Sequence, residues 1–326
     1  MELSVIIPTR NRCAILCETL DRLEAQCGDA ELEVVVVDDG STDETRDVVR
    51  RRAAASPFPL ILIEQAGLGP AAARNRALAA VRAQVCLFLD DDTWPRAGLV
   101  ARHAAFHRQH PEPGAALLGH VEIAARPAPT PFMRWLTHQH LHFAEIDPDD
   151  AGGHNFFSGN VSGKTDFIRE AGGFDEAFTA AGHEDIDLGL RLQQQGMRLI
   201  YDRQAVVEHY HPVDLSIAID RAGDIGRSHA RFIERHPYRP APRRPGARHR
   251  IKASTLTALT AMGLRSARLQ REIWRFLCHE AFREAFWREV DSRNEGPDPP
   301  PPERLRIGRR LARLASRDED ARLPAS

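Results

Sequence analysis

Lysine is almost absent from this chain of 326 residues: Lys164 and Lys252 are the only two among 44 basic residues. So even a replacement by arginine reflects coding bias rather than chemistry. Cysteine is also scarce. Cys13, Cys17, Cys27, Cys86 and Cys278 are odd in number and lack the paired spacing of a zinc site. Reduced packing thiols are expected, not a disulfide framework. No apolar run reaches transmembrane length. The N-terminus opens on a strand at Leu3, without the charged and apolar regions of a signal segment. These absences predict a cytoplasmic protein, with peripheral contact at the inner face of the membrane as the furthest excursion. A net charge of −2 gives no basis for a nucleic-acid partner. What is present, 42% hydrophobic and 28% charged residues, describes a globular chain long enough for one large domain and an appendage.

The hydrophobic pattern alternates between strand and helix. Leu3 to Pro8 is a first buried strand, followed by the polar loop Thr9, Arg10, Asn11 and Arg12. Ile15, Leu16, Leu20 and Leu23 carry a helix to about Gln26, and Gly28 stops it. The β-branched run Leu32 to Val37 is a second strand and ends in Asp38 and Asp39. Ser41 or Thr42 is placed to cap the next helix. Leu60 to Ile63 is a third strand, Pro70 opens a helix through Val81, and Val85 to Leu89 is a fourth strand. This order predicts an α/β fold, a doubly wound, mostly parallel sheet flanked by helices. Its strand ends share one rim, where ligands bind in such sheets.

That rim gathers Thr9, Arg10 and Asn11, then Asp38 and Asp39, Arg74, and the triplet Asp90, Asp91 and Asp92. A G-x-G-x-x-G dinucleotide turn is missing after the first strand. Three adjacent carboxylates repel one another unless a divalent cation sits among them. Mg²⁺ or Mn²⁺ suits their hard oxygens and can hold a diphosphate. The same crowding predicts that Asp92→Asn leaves the melting temperature at or above the parent value.

VIIPTRNR, VVVVDDGSTDET, GPAAARNRAL and LFLDDDTWP, in this order, resemble the nucleotide-sugar half of the family 2 glycosyltransferases, which have the GT-A fold. The resemblance covers roughly residues 3 to 211. It implies a nucleotide-diphosphate sugar as donor, a UDP-sugar foremost, and a hydroxyl acceptor. It implies Asp39, with Asp38 beside it, at the nucleoside, and Pro8, Thr9 and Arg10 lining the nucleotide pocket. Arg74 would lie on the nucleotide side. The triplet matches the family's D-x-D, with Asp92 on the metal and Asp90 and Asp91 serving the ribose or metal-bound water. Asp90 is counted with the metal as well. His209 and His211, after the last core strand, both stand as groups near the metal or diphosphate.

Further along, a helix is expected over Ala97 to His110 and a strand over Leu117 to Ile123. Trp135, His138, His140 and His142 sit in a segment where no Cys or carboxylate completes a zinc set, so an acceptor-facing amphipathic stretch is preferred. Asn155 to Asp175 continues the resemblance and implies Ser158, Gly159 and Asn160 on the acceptor side. In GHEDIDLGLRLQQQG, Ile186, Leu188, Leu190 and Leu192 alternate as a strand would. The glutamine run ending at Gly196 favours a helix. Its N-terminus then holds Glu184 and Asp185, where the helix dipole stabilises carboxylates. By resemblance this acidic pair supplies the base that takes the acceptor's proton. Asp185 is assigned that role, with Glu184 in support and Asp187 binding acceptor.

The expected organisation is a catalytic domain over residues 1–212, split at 110 into a nucleotide-sugar half and an acceptor half. A helix and linker follow over 213–245, and an Arg-rich helical extension over 246–326 includes a last helix from Glu303 to Ala315. That extension would pack on the catalytic domain, pair with a second copy as a homo-oligomer, or touch an anionic membrane surface. The reading is a metal-dependent, inverting glycosyltransferase of polysaccharide or glycoconjugate biosynthesis. Two rivals are a nucleotidyltransferase, which would carry a Gly-rich phosphate loop where PTRNR stands, and a non-catalytic sugar-nucleotide-binding protein.

Overall fold

The computed structural model describes residues 1–295 apart from 29, 126, 127, 141, 142, 181, 245, 263 and 265. The helix expected over Glu303 to Ala315 lies outside these, as do residue 142 and the side chains of His138 and His140. Two compact units are present, Met1–Pro212 and a second one beginning at Val213.

In the first unit the chain runs β1 (Leu3–Thr9), α1 (Cys13–Glu24), β2 (Leu32–Asp39), α2 (Thr45–Ala53), β3 (Leu60–Gln65), α3 (Pro70–Ala80), β4 (Val85–Leu89), β5 (Thr93–Pro95) and α4 (Leu99–Gln109). It continues as β6 (Ala115–Ile123), α5 (Pro131–His140), β7 (Asn160–Lys164), α6 (Thr165–Glu170), α7 (Glu184–Gln194) and β8 (Arg198–His209). The eight strands form one sheet in the order β3-β2-β1-β4-β7-β6-β8-β5. The first four are mutually parallel. The apolar runs of β1, β2 and β4 are buried on both faces, as β4 shows at every position.

The rest of the sheet adds antiparallel pairs to the mostly parallel arrangement expected. β7 runs antiparallel to both β4 and β6, β5 antiparallel to β8, and β6 parallel to β8. These reversals position the site. Leu89 pairs with Asn160, so the approach to β7 arrives at the rim just where β4 releases Asp90. Thr93 pairs with His209, so the end of β8 arrives beside Asp92.

Two local expectations are corrected. The turn after the triplet enters the short strand β5, and the next helix starts at Leu99, because Tyr210 N donates to Asp92 O and draws the segment onto β8. Neither Ser41 nor Thr42 caps α2. Both are spent on the first loop: Ser41 Oγ accepts from Asn11 N, and Asn11 Oδ1 accepts from Thr42 N. Asp43 Oδ1 instead accepts from Thr45 N. GHEDIDLGLRLQQQG forms the expected helix, with Leu188 and Leu192 buried four residues apart on one face.

Beneath the rim, β7 and α4 share a polar knot. His103 Nδ1 and His107 Nε2 each lie 2.8 Å from Ser162 Oγ. Burial pushes His103 down to about 4. Burial, then the Lys164 charge, pushes His107 to about 2.

The second unit holds α8 (Leu215–Arg235), α9 (Ala247–Ala261) and α10 (Ala267–Glu295). Asp214 caps α8 by accepting from Ile217 N. At Gly226 a Cβ would meet the Phe282 carbonyl oxygen at 2.2 Å, so α8 and α10 cross backbone on backbone. Among the described residues no helix is long and apolar enough to cross a membrane.

Candidate active site

Asp39 pins the turn into α3. Its Oδ1 accepts from Gln65 Nε2 and Leu68 N, both at 2.7 Å, and its Oδ2 from Gly69 N at 3.0 Å. Gly69 has φ 94°, and a Cβ there would lie 2.4 Å from the Thr179 carbonyl oxygen, so glycine is required. Asp38 is buried, accepts from Ser41 N and faces Arg46 at 3.6 Å. Pro8 is half-buried at the end of β1, while Arg10 is exposed and lies over Gly67.

The triplet splits three ways. Asp91 turns inward: it accepts from Thr9 Oγ1 at 2.7 Å and from Arg12 Nη1 at 2.9 Å, and its carbonyl accepts from Thr19 Oγ1. Burial pushes its carboxyl up to about 7 against the pull of Arg12. Asp92 is buried too, yet the two histidines and Arg12 outweigh that burial and hold it well below the usual carboxylate range. Arg12 Nη1 reaches Asp92 Oδ2 at 2.7 Å. His209 Nε2 lies 3.4 Å from Oδ1 and His211 Nδ1 3.3 Å from Oδ2. Asp90 keeps the most exposed carboxylate of the three and accepts from Arg74 Nη2 at 2.7 Å.

Arg74 links the end of β4 to the start of α7. Buried at 4% exposure, it also donates through Nη1 to Glu184 Oε1 at 2.9 Å. Glu184 Oε2 accepts from Gly182 N. Asp185, next in α7, is half-buried. Its Oδ1 accepts from Ile186 N at 2.8 Å and its Oδ2 from Ser158 N at 3.4 Å. Burial, then the Glu184 charge, pushes its carboxyl up to about 7 against Arg74. Gly159 sits against Asp90, where a Cβ would be 3.2 Å from Oδ2. Asn11 and His183 have φ of 53° and 73°, the non-glycine residues with positive φ among those described, and both border this rim.

Two expected acceptor residues face elsewhere. Asn160 is fully buried. Its Nδ2 donates to the His120 and Ala205 carbonyls, and its Oδ1 meets His103 Nε2, because the bulge at Gly119/His120 needs those bonds. Asp187 is also fully buried and pairs with Arg191 Nε at 2.9 Å. Arg191 in turn donates to the Ala171 and Gly173 carbonyls, clamping α7 to that turn. Arg12 is the functional candidate that sequence reasoning passed over. It stood inside VIIPTRNR but read only as one more polar loop residue.

The pairing of Asp92 reverses the stability expected of its variant. Asp92→Asn removes a carboxylate that three cationic or donor groups hold, so its melting temperature is expected to fall below the parent's. Breaking such a buried pair costs about 3–5 kcal/mol. Thermal unfolding followed by circular dichroism checks this; a rise would restore the crowding argument.

One oxygen or nitrogen from each of Asp92, His209 and His211 lies within 4.8 Å of the others, a donor set with room for a divalent cation. Two imidazoles with one carboxylate suit a transition metal better than Mg²⁺, which takes oxygen ligands. Asp90 stands outside this group among the described residues and is engaged by Arg74.

Sheet, acidic triplet and the acidic start of α7 together define a GT-A type glycosyltransferase fold. The sequence pattern of glycosyl transferase family 2 matches residues 4–154, and that of the N-terminal domain of galactosyltransferase matches 137–213. Validoxylamine A glucosyltransferase of Streptomyces hygroscopicus subsp. jinggangensis is 34% identical over 266 residues, covering 72% of this chain and 61% of that protein. Pre-mycofactocin glycosyltransferase of Mycobacterium tuberculosis is 32% identical over 261 residues, covering 74% and 49%. Residues 4–154 therefore belong to glycosyl transferase family 2, and the chain spans between 49% and 61% of the length of these two relatives. Its fold is shared with S. aureus TarS 1-349 (18% identity, TM-score 0.53, 91% of this chain and 92% of that one). It is shared also with the mannosyltransferase PcManGT from Pyrobaculum calidifontis in complex with GDP-Man and Mn²⁺ (21%, 0.54, 99% and 88%).

Proposed function

We propose that the first unit, residues 1–212, transfers a sugar from a nucleoside diphosphate to an acceptor hydroxyl with inversion at the anomeric carbon. The observation that carries this is the Arg74 bridge, which ties Asp90 at the end of β4 to Glu184 beside Asp185. Asp39 and Asp38 with Pro8, Thr9 and Arg10 form the nucleoside wall in this reading. Ser158 and Gly159 flank the place where acceptor and Asp90 meet. Asp185 is the base: burial pushes its carboxyl up to about 7, it is only half-buried, and Ser158 N orients it. It takes the acceptor proton as that oxygen attacks, while Glu184 stays locked in its ion pair.

Asp92, His209 and His211 would hold a divalent cation, Mn²⁺ in preference to Mg²⁺ on the strength of the two imidazoles. When bound, such an ion neutralises charge developing on the leaving diphosphate. A UDP-sugar is the proposed donor, in line with TarS structures in complex with UDP and UDP-GlcNAc. GDP-mannose, the donor held by PcManGT, is the competing choice.

Calorimetry of UDP and GDP with Mn²⁺, Mg²⁺ or EDTA tests the donor and metal assignments. Tight binding is expected with Mn²⁺, weaker binding with Mg²⁺ and little with EDTA; equal affinity in all three sinks the metal site. Proton NMR of the first product reports the anomeric configuration, and retention would remove the single-displacement mechanism.

A further inference from the structure

Arg12 occupies the side of the acidic triplet that a cation would share. A single nitrogen, Nη1, reaches both Asp91 Oδ1 at 2.9 Å and Asp92 Oδ2 at 2.7 Å. Asp92 Oδ2 is also the oxygen nearest His211. The guanidinium is thus a fixed positive charge in contact with the one carboxylate of the Asp92, His209 and His211 group. The two acids are nearly sealed, with side chains 6% and 5% exposed, whereas the Arg12 side chain is 36% exposed. Its sequence position explains the asymmetry. Arg12 is the last residue of the loop after β1 and directly precedes α1, so it reaches the triplet from the solvent edge.

We infer that Arg12 is a built-in counter-ion that competes with the divalent cation for Asp92 and holds metal affinity down while the nucleotide site is empty. This rests on the metal assignment made above. Like charges a few ångströms apart repel strongly at a partly buried site. A divalent ion must therefore displace the guanidinium from Asp92 or bind against its charge. Either way its affinity carries the cost of Arg12. An open edge gives the side chain somewhere to go, and Asp91 remains a partner for it.

The test uses the full chain and Mn²⁺ alone, read as the loss of the free-ion signal in electron paramagnetic resonance. Arg12→Met removes the charge and keeps much of the packing; Arg12→Lys keeps the charge. Near-ultraviolet circular dichroism verifies that both are folded. The expected result is Mn²⁺ binding at least about tenfold tighter in Arg12→Met than in the parent, with Arg12→Lys close to the parent. Should Arg12→Met misfold, Arg12→Gln takes its place. Equal or weaker binding in the neutral variant overturns the inference and makes Arg12 a brace for the acids, while the metal site itself stands. No Mn²⁺ binding by any of the proteins overturns the metal assignment and the inference together.

Discussion

Asp185→Asn is expected to lose about 10²–10⁴-fold in transfer rate, the usual share of a general base, while binding donor and metal as the parent does. Asn keeps the size, and its Oδ1 can still accept from Ile186 N, but the amide nitrogen that replaces Oδ2 can neither accept from Ser158 N nor take a proton. The pH profile sharpens the test. With its carboxyl near 7, the parent should lose activity as pH falls through about 7; the variant's residual rate should lack that limb. Stability should move the other way. The unfolded carboxyl titrates near its ordinary 3.8 and the folded one near 7. Between these values the folded state holds a proton that the unfolded state has lost, so parental stability falls as pH rises through this window. The variant escapes that fall and should be the more stable protein at pH 8, with the difference gone at pH 4. A variant with parental turnover would reduce Asp185 to a helix-terminus charge.

The second large effect is thermodynamic. Arg74→Met is expected to destabilise the first unit by about 3–5 kcal/mol, because it leaves Glu184 buried without its cation. Adding Glu184→Met to it should recover most of the loss, since two apolar groups replace the pair together. Urea unfolding of the two single variants, the double variant and the parent closes this cycle. A coupling near zero would mean that the two residues do not depend on one another. The single variant should also move the acidic limb of any residual activity to higher pH, as Arg74 is the charge that holds the Asp185 carboxyl down.

The first four strands were legible because their signals are local. Val85 to Leu89 reads as a buried strand from five consecutive residues, and the carboxylates follow it directly. The whole order of β1 to β4 comes from that kind of signal. What the sequence hides are pairings that only the mixed part of the sheet creates. Nothing around Asn160 marks it as a core residue, since its partners His103, His120 and Ala205 reach it through α4, β6 and β8. Asp187 looked equivalent to Asp185 in the same acidic run. The helical turn points it inward to Arg191 instead, two residues being about half a turn apart. Arg12 was hidden for the same reason: its value lies in acids 79 and 80 residues away.

Those separations bear on the order in which the unit assembles. β1 to β4 close through consecutive strand-helix-strand units, while Arg74 and Glu184 are 110 residues apart. Long closures cost more chain entropy and are made late. The nucleotide wall is therefore expected to form first, with α7 docking onto it last through the Arg74 bridge. Pulsed hydrogen exchange during refolding should protect β1, β2 and β4 before α7; protection of α7 at the same rate would contradict this order. On the proposed reading, a chain caught between those stages would have the wall of its nucleotide pocket but not the base on α7, and so could not complete a transfer.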